Sequence, residues 1–272
     1  MKKLLIPLLL FTIKSYSQEL YVFSEPASNM PAHSLSVKQS AKLLRIAGNA
    51  SVSSRHTTEL MFGVTKDFML HTIGTVSDMY SSGQRFESGR VYGKYRFLSN
   101  DGLFTHFRMA AFGELSFSRN KVGYDEISIE GDQGGVQAGV IATQLLHKLA
   151  LSGTLGVVSA FSSSQVPDII GRFPPAQALN YSLSAGYLVL PKNYVDYKQV
   201  NLNLYLEMLG QQSFGAAKHY VDLAPAAQLI FNSQEKLSVG YRFQVDGNMN
   251  RMANNGWLIS FEWLFLDALR KR

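Results

Sequence analysis

The sequence contains no cysteine, few charged residues and few long apolar runs. Without thiols, the chain has no disulfide bonds, no thiolate metal ligands and no N-terminal cysteine for lipoprotein acylation. Charged residues make up 17% of the 272 residues, below the quarter that is usual in soluble domains. After the apolar run at 4–13, no stretch approaches the roughly 20 apolar residues of a transmembrane helix. These absences exclude a disulfide scaffold and a helical membrane domain.

The positive charge of the chain is concentrated at its two ends. The formal net charge is +6, but three lysines lie within the first 14 residues. Without these lysines, 23 cations remain against 20 anions, and the terminal DALRKR accounts for two of the three excess charges. The body of the chain is therefore nearly neutral, and we predict no nucleic-acid partner.

The first 17 residues, MKKLLIPLLLFTIKSYS, begin with two lysines after the initial methionine, continue with an apolar run and end in a polar stretch with small serines. This order is typical of a secretory signal peptide and predicts cleavage between Ser17 and Gln18. A membrane anchor is the alternative, but ten apolar residues are too few to span a bilayer as a helix. Residues 18–33 contain two prolines and no sustained period, so we predict an extended periplasmic segment there.

From residue 34 onward, stretches of alternating polarity are separated by connections that are short and long in turn. The short connections, such as SNDG and NSQE, carry residues that hairpin turns favour. The pattern predicts one all-β domain over 34–266, followed by a basic tail at 267–272. The predicted strands are 35–46, 57–64, 68–79, 88–98, 103–118, 134–146, 149–162, 178–190, 199–211, 219–231, 236–247 and 256–266.

Most predicted strands have one apolar face and one polar face. In VNLNLYLEMLG, for example, leucines alternate with Asn201, Asn203 and Glu207. The polar faces are rich in serine and glycine, which would make a poor soluble exterior. Strands of roughly ten residues with turns at one end and long loops at the other are typical of outer-membrane barrels. We predict a closed antiparallel transmembrane β-barrel in the bacterial outer membrane, with about 12 strands and a range of 10–14. A soluble sandwich or lipocalin-like barrel is the alternative.

The last predicted strand, GWLISFEWLFL, carries large aromatic residues on one face. We predict that these side chains contact outer-membrane lipids: Trp257, Phe261, Trp263 and Phe265. The opposite face includes Glu262, which would point into the lumen. A terminal strand of this kind resembles the signal that barrel-assembly machinery recognises, although seven residues follow the last aromatic. In the tenth strand, Pro225 cannot donate to the hydrogen-bond ladder, and we predict a bulge there.

Four stretches of the sequence resemble an outer-membrane barrel family from Bacteroidota-type bacteria. They are ELYVFSEPASNMPA, GKYRFLSNDGLFTHFRMAAFGE, GVIATQLLHKLALS and SLSAGYLVLPKNYVDYKQVNLNLYLEMLGQ. The likeness spans nearly the whole mature chain. It implies a transporter-like or hypothetical outer-membrane barrel, and it carries over no active-site residues.

Signals for chemistry are weak in this sequence. The histidines are scattered over different hairpins, without a serine at a spacing typical of a nucleophile and its base. The acidic stretch YDEISIEGD at 124–132 could supply paired carboxylates, but a solvated loop is the simpler interpretation. We predict no cofactor, no metal and no enzymatic activity. A membrane-embedded hydrolase remains an alternative.

Charged residues on the polar faces define the candidate site. The predicted cationic wall is Arg90, Lys94, Arg96 and Arg108, and the predicted acidic wall is Glu207, Asp222 and Glu262. Further predicted lumen residues are His106, Glu114 and Arg242. The fourth and tenth of 12 strands lie opposite each other, so the walls would face across a gap of about 10 Å. This arrangement predicts a passive channel for small polar solutes with a transverse field. A non-conducting structural or partner-binding barrel is the alternative.

Overall fold

The structure, a computed structural model, describes residues 21–46, 52–102, 105–168, 171–192, 198–215 and 217–270. Its twelve strands are β1 Leu35–Arg45, β2 Val52–Gly63, β3 Phe68–Ser77, β4 Arg85–Asp101, β5 Thr105–Ser118, β6 Gly135–Leu146, β7 Leu149–Ala160, β8 Gln177–Leu190, β9 Asn201–Ser213, β10 His219–Phe231, β11 Glu235–Gly247 and β12 Asn255–Phe265. A single turn of 3-10 helix covers Ser162–Ser164. The predicted signal peptide and its cleavage site lie outside the described residues.

The strands close into one antiparallel barrel. Each strand pairs with its neighbours in sequence, and β1 pairs with β12 to complete the ring. The predicted fold class and strand number are therefore confirmed. β2 begins five residues before the predicted start, at Val52. Its outward face carries exposed His56 and Thr58 opposite the lumen-facing Arg55 and Glu59, so the sequence there lacks the apolar face that marks the other strands.

The outer surface of the barrel is apolar. Exposed aliphatic side chains form a belt around its middle: Val140, Leu155, Leu183, Leu206, Val239 and Ile259. Exposed aromatic rings lie at both edges of this belt, at one end Phe68, Tyr95, Phe97, Tyr187, Trp263 and Phe265 and at the other Phe86, Phe117 and Trp257. This distribution is the one that lipid requires of a transmembrane barrel, with aromatic girdles at the two interfaces. Among the described residues, no helix is long and apolar enough to cross a membrane.

The connections sort into two ends, as the sequence predicts. The turn end holds connections of two to four residues, the longer connection 191–200, the start of β1 and the end of β12. The loop end holds connections of five residues or more, including 119–134 and 161–176.

Pro225 does not produce the predicted bulge. The pairing of β10 with β11 lapses at Pro225 and resumes in the same register at Ala226. The register shift lies earlier, between Val221 and Asp222. The prediction is wrong because a residue without an N–H leaves a gap in the ladder without adding an extra residue to the strand.

The core of the protein lies inside the barrel, around two inserts. The first insert, here called the inner segment, is residues 21–33, which precede β1. The second, the inward loop, is residues 119–134 between β5 and β6. Of four apolar clusters among the described residues, three include side chains of the inner segment. The fourth includes Ile127 and Ile129 of the inward loop. Both inserts are therefore packed parts of the folded domain.

Candidate functional site: a lumen with two inserts

The inner segment enters the lumen at the turn end and runs to its middle. At the turn end, the N–H of His33 donates to the carbonyl of Gly63 at 2.6 Å. A Cβ atom on Gly63 would lie 2.0 Å from the carbonyl oxygen of Pro31, so only glycine allows this approach. At the other end of the segment, the Tyr21 ring packs edge-on against Tyr205 of β9, with centroids 5.7 Å apart. The segment predicted to be extended and periplasmic thus lies within the barrel over residues 21–33.

Glu207 holds the inner segment at the middle of β9. Its Oε1 accepts the backbone N–H groups of Val22 and Phe23 at 2.8 and 2.9 Å. The hydroxyl of Ser184 donates to Oε2 at 3.4 Å, and it also lies 2.8 Å from the hydroxyl of Ser24. The Glu207 side chain is completely buried. A buried carboxylate needs such charge-assisted hydrogen bonds to offset its desolvation.

Three further wall residues bind residues 25–28 of the inner segment. Lys94 Nζ lies 3.0 Å from Glu25 Oε2 and donates to the carbonyl of Pro26 at 2.7 Å. Thr143 Oγ1 accepts the N–H of Ala27 at 2.9 Å. Arg108 donates to the hydroxyl of Ser28 at 3.1 Å. Many of these contacts reach the main chain of the segment, so they fix its path whatever its side chains are.

The inward loop is held by two buried arginines, one near its middle and one near its C-terminal end. Arg55 lies 3.1 Å from Glu87 and 2.5 Å from Asp132 of the loop. Arg251 lies 3.1 Å from Glu126 of the loop and 2.8 Å from Asp222. Both arginine side chains are more than nine-tenths buried. The prediction of a solvated acidic loop is therefore wrong for Asp132 and Glu126, because these two carboxylates pair with buried arginines.

The middle of the inward loop crosses the lumen. Ile127 exchanges two main-chain hydrogen bonds, both 2.8 Å, with the side-chain amide of Gln211. Glu130 forms an ion pair with Lys42 of β1. The charge of Lys42 holds the pKa of Glu130 well below its ordinary value. Gly131 has φ +137°, and a Cβ there would lie 2.9 Å from the Arg55 guanidinium. Glycine is needed at this turn.

A chamber lies between the two inserts. It consists of adjoining cavities of about 240 and 180 Å³. Both are lined by Phe23 and Glu25 of the inner segment, Glu130 of the inward loop, and Tyr92 and Arg242 of the wall. Charged wall residues of both signs also line the chamber: Lys38, Lys42, Glu59, Arg90 and Glu114. A chamber of this size and polarity can hold a small polar molecule.

The predicted cationic wall is paired rather than open. Arg90 lies 2.6 Å from Glu114 of β5, and Arg96 lies 3.0 Å from Asp67. Arg108 and His106 both contact Asp101, at 3.0 and 2.9 Å. Lys94 binds the inner segment, as described above.

Two residues of the predicted acidic wall are paired in the same way, whereas Glu207 binds the inner segment. Asp222 contacts Arg242 at 2.5 Å as well as Arg251, and Glu262 lies 3.1 Å from Lys236. The structure therefore does not place two unpaired walls across water. The strand order could not show this, because the inserts and neighbouring strands supply counter-charges.

The four predicted lipid-facing aromatics lie on the outer surface. Trp257, Phe261, Trp263 and Phe265 are each at least two-fifths exposed. Trp257 lies near the loop end, whereas Trp263 and Phe265 stack at the turn end with centroids 5.3 Å apart.

Sequence reasoning missed several residues of the site. The missed residues are Glu25, Lys42, Arg55, Glu126, Glu130, Asp132 and Arg251. One signal was present: Ile127 and Ile129 alternate with the acidic residues of YDEISIEGD, and both are 3% exposed. Such alternation indicates a packed segment with one apolar side.

These features define the class. The chain folds as an outer-membrane β-barrel, with an apolar belt facing lipid and a charged lumen occupied by two inserts. The sequence matches no protein-family model and no curated protein sequence.

Solved structures of outer-membrane barrels share the fold. An outer membrane channel from Pseudomonas putida F1 has a TM-score of 0.64 and 12% identity, over 90% of this chain and 100% of that chain. The KdgM porin has a TM-score of 0.48 and 11% identity, over 85% of this chain and 99% of that chain. The outer membrane phospholipase A of Escherichia coli has a TM-score of 0.42 and 9% identity, over 86% and 90%. At 12% identity, the likeness to the Pseudomonas putida channel shows the fold alone.

Proposed function

We propose that this protein is an outer-membrane channel for small polar solutes, narrowed by the inner segment and the inward loop. One observation carries the proposal: a polar chamber at mid-lumen is lined by charges of both signs. A barrel that only had to be stable would gain more from an apolar packed interior, since buried ion pairs stabilise little. A charged lumen instead selects and slows solutes that pass through it.

Two neighbouring residues of β7 provide a test of passage. Thr154 lines the chamber, and the next residue, Leu155, is 50% exposed on the lipid face. We expect Thr154→Trp to slow the swelling of protein-loaded liposomes in small polar solutes, because the indole fills chamber volume. Leu155→Trp is the matched control and should swell like the wild type. Liposomes that do not swell with any of the three proteins would contradict the proposal.

A non-conducting barrel is the second candidate, and a specific observation favours it. The charges nearest the inserts are paired and buried, as Lys94, Arg55 and Arg251 show. In that case the inserts would stabilise a structural or partner-binding barrel. The same liposome assay separates the two candidates.

Other parts of the sequence prediction enter here as proposals. We propose that residues 1–17 are removed as a signal peptide, and that barrel-assembly machinery recognises the aromatic strand β12. We also propose membership of the Bacteroidota-type barrel family, which the sequence stretches quoted above support. We propose that the polar residues of the lumen position the inserts and act on solutes rather than catalyse a reaction.

A further inference from the structure

The inner segment lies in the lumen in the manner of a bound peptide. The wall contacts its main chain at residues 22, 23, 26 and 27. Glu207 accepts the N–H groups of residues 22 and 23, Lys94 donates to the carbonyl of residue 26, and Thr143 accepts the N–H of residue 27. In peptide recognition, main-chain hydrogen bonds give affinity, and pockets for alternate side chains give specificity. Both elements are present in this lumen.

Alternate aromatic side chains of the segment enter apolar surroundings. Tyr21 belongs, with Val22, to a cluster that includes four wall residues, Ala150, Tyr205, Ala226 and Leu258, and Phe23 packs against this cluster. The wall is shaped around Phe23, because a Cβ on Gly240 would lie 2.5 Å from its ring. Glycine at this position leaves room for an aromatic side chain of the occupant.

The pairing of the barrel strands does not depend on the segment. Residues 21–33 belong to none of the twelve strands, and the ring of paired strands closes without them. Its departure would, however, remove two main-chain donors from the buried carboxylate of Glu207. A second peptide that offers equivalent N–H groups would restore them.

We propose that the mid-lumen wall around Glu207, Lys94 and Thr143 is a binding site for an extended peptide, which the inner segment fills in cis. The wall recognises the ligand by hydrogen bonds to its main chain, and the ligand carries aromatic residues at two alternate positions. The inner segment then acts as a tethered competitor that keeps other peptides out. A role in peptide passage rests on the proposed channel function, whereas binding itself does not.

The test uses the full mature chain and a labelled peptide with the sequence of residues 21–28, YVFSEPAS. Val22→Pro with Phe23→Pro removes the two N–H donors of the tethered segment and leaves the wall unchanged. We expect this variant to bind the peptide, measured by fluorescence anisotropy. The wild type should bind at least about tenfold more weakly, because a tethered competitor has an effective concentration in the mM range. The matched control peptide carries N-methyl groups at the residues equivalent to Val22 and Phe23, and it should not bind.

A second measurement does not depend on the proline variant. The chain has no native cysteine, and the hydroxyls of Ser24 and Ser184 lie 2.8 Å apart. In Ser24→Cys/Ser184→Cys, a disulfide forms only while the inner segment is in place. We expect excess parent peptide to slow disulfide formation and the N-methylated peptide to leave its rate unchanged.

Two results would overturn the inference. Equal binding of both peptides would show that the main chain is not what the wall recognises. Failure of the parent peptide both to bind the proline variant and to slow the disulfide would show that the site accepts no peptide. Either result leaves the liposome test of the channel unaffected, so the two proposals fail separately.

Discussion

Arginine placed on either face of β7 should have very different effects on stability. Leu155 lies at the middle of β7 and is 50% exposed on the apolar outer surface. The adjacent Thr154 points into the chamber. Leu155→Arg would place a guanidinium near the bilayer midplane, whereas Thr154→Arg would place it among water and carboxylates.

The expected magnitude follows from the depth of Leu155. A lipid-facing arginine at the midplane costs about 2–4 kcal/mol in a transmembrane barrel. That cost changes the folding equilibrium by roughly 30-fold to nearly 1,000-fold. For Thr154→Arg we expect less than about 1 kcal/mol, because lumen positions that face water tolerate charge.

The assay is urea-induced unfolding in lipid vesicles, followed by tryptophan fluorescence. Both tryptophans of the chain, Trp257 and Trp263, lie on the outer surface of β12. Their emission should shift to longer wavelength when β12 leaves lipid. Equal destabilisation by the two arginines would refute the assignment of the outer face to lipid.

Three further predictions concern the inward loop and the loop end. Arg55→Met should destabilise the barrel by about 3–5 kcal/mol in urea unfolding, because it leaves the buried Glu87 without its cation. Adding Glu87→Gln should recover part of this loss, and strictly additive losses from the two substitutions would contradict the pairing. The lowered pKa of Glu130 means that its ion pair stabilises the fold above pH 4.5, the ordinary pKa, and less as pH falls below it. The difference in unfolding free energy between wild type and Glu130→Gln should be small, because the Glu130 side chain is 48% exposed. This difference should shrink as the pH falls, and an increase would contradict the lowered pKa of Glu130. We predict that the loop end faces the outside of the cell and the turn end the periplasm. On intact cells, trypsin should therefore cut after Arg172, whose side chain is 75% exposed, and should spare the inward loop. Cleavage at the turn end instead would contradict this orientation.

The strands could be predicted from the sequence because their pattern is local. Alternate residues face lipid and lumen, so an apolar period of two appears wherever one face meets lipid. The start of β2 was predicted too late, because the polar His56 and Thr58 on its outer face interrupt this apolar period. The bounds of most strands still agree with the prediction within a few residues.

The inserts could not be predicted because their contacts are long-range. Val22 is 185 residues from Glu207 in sequence, and Arg251 is 125 residues from Glu126. Nothing in the local pattern of residues 21–33 shows that their main-chain N–H groups donate to Glu207. The same limit applies to the two predicted walls. The strand order gives the position of each wall residue around the barrel, but it does not show which insert lies between the walls.

A single measurement bears most directly on the proposed channel: planar-bilayer recording of the wild type and of Val22→Pro/Phe23→Pro. We expect a small, steady conductance from the wild type. The proline variant should conduct several times more, because the inner segment no longer fills the middle of the lumen. Displacement of the segment is checked by adding Ser24→Cys/Ser184→Cys to the proline variant, in which the disulfide should no longer form. If the segment is displaced and neither protein carries current, the channel account is contradicted and a closed structural barrel remains.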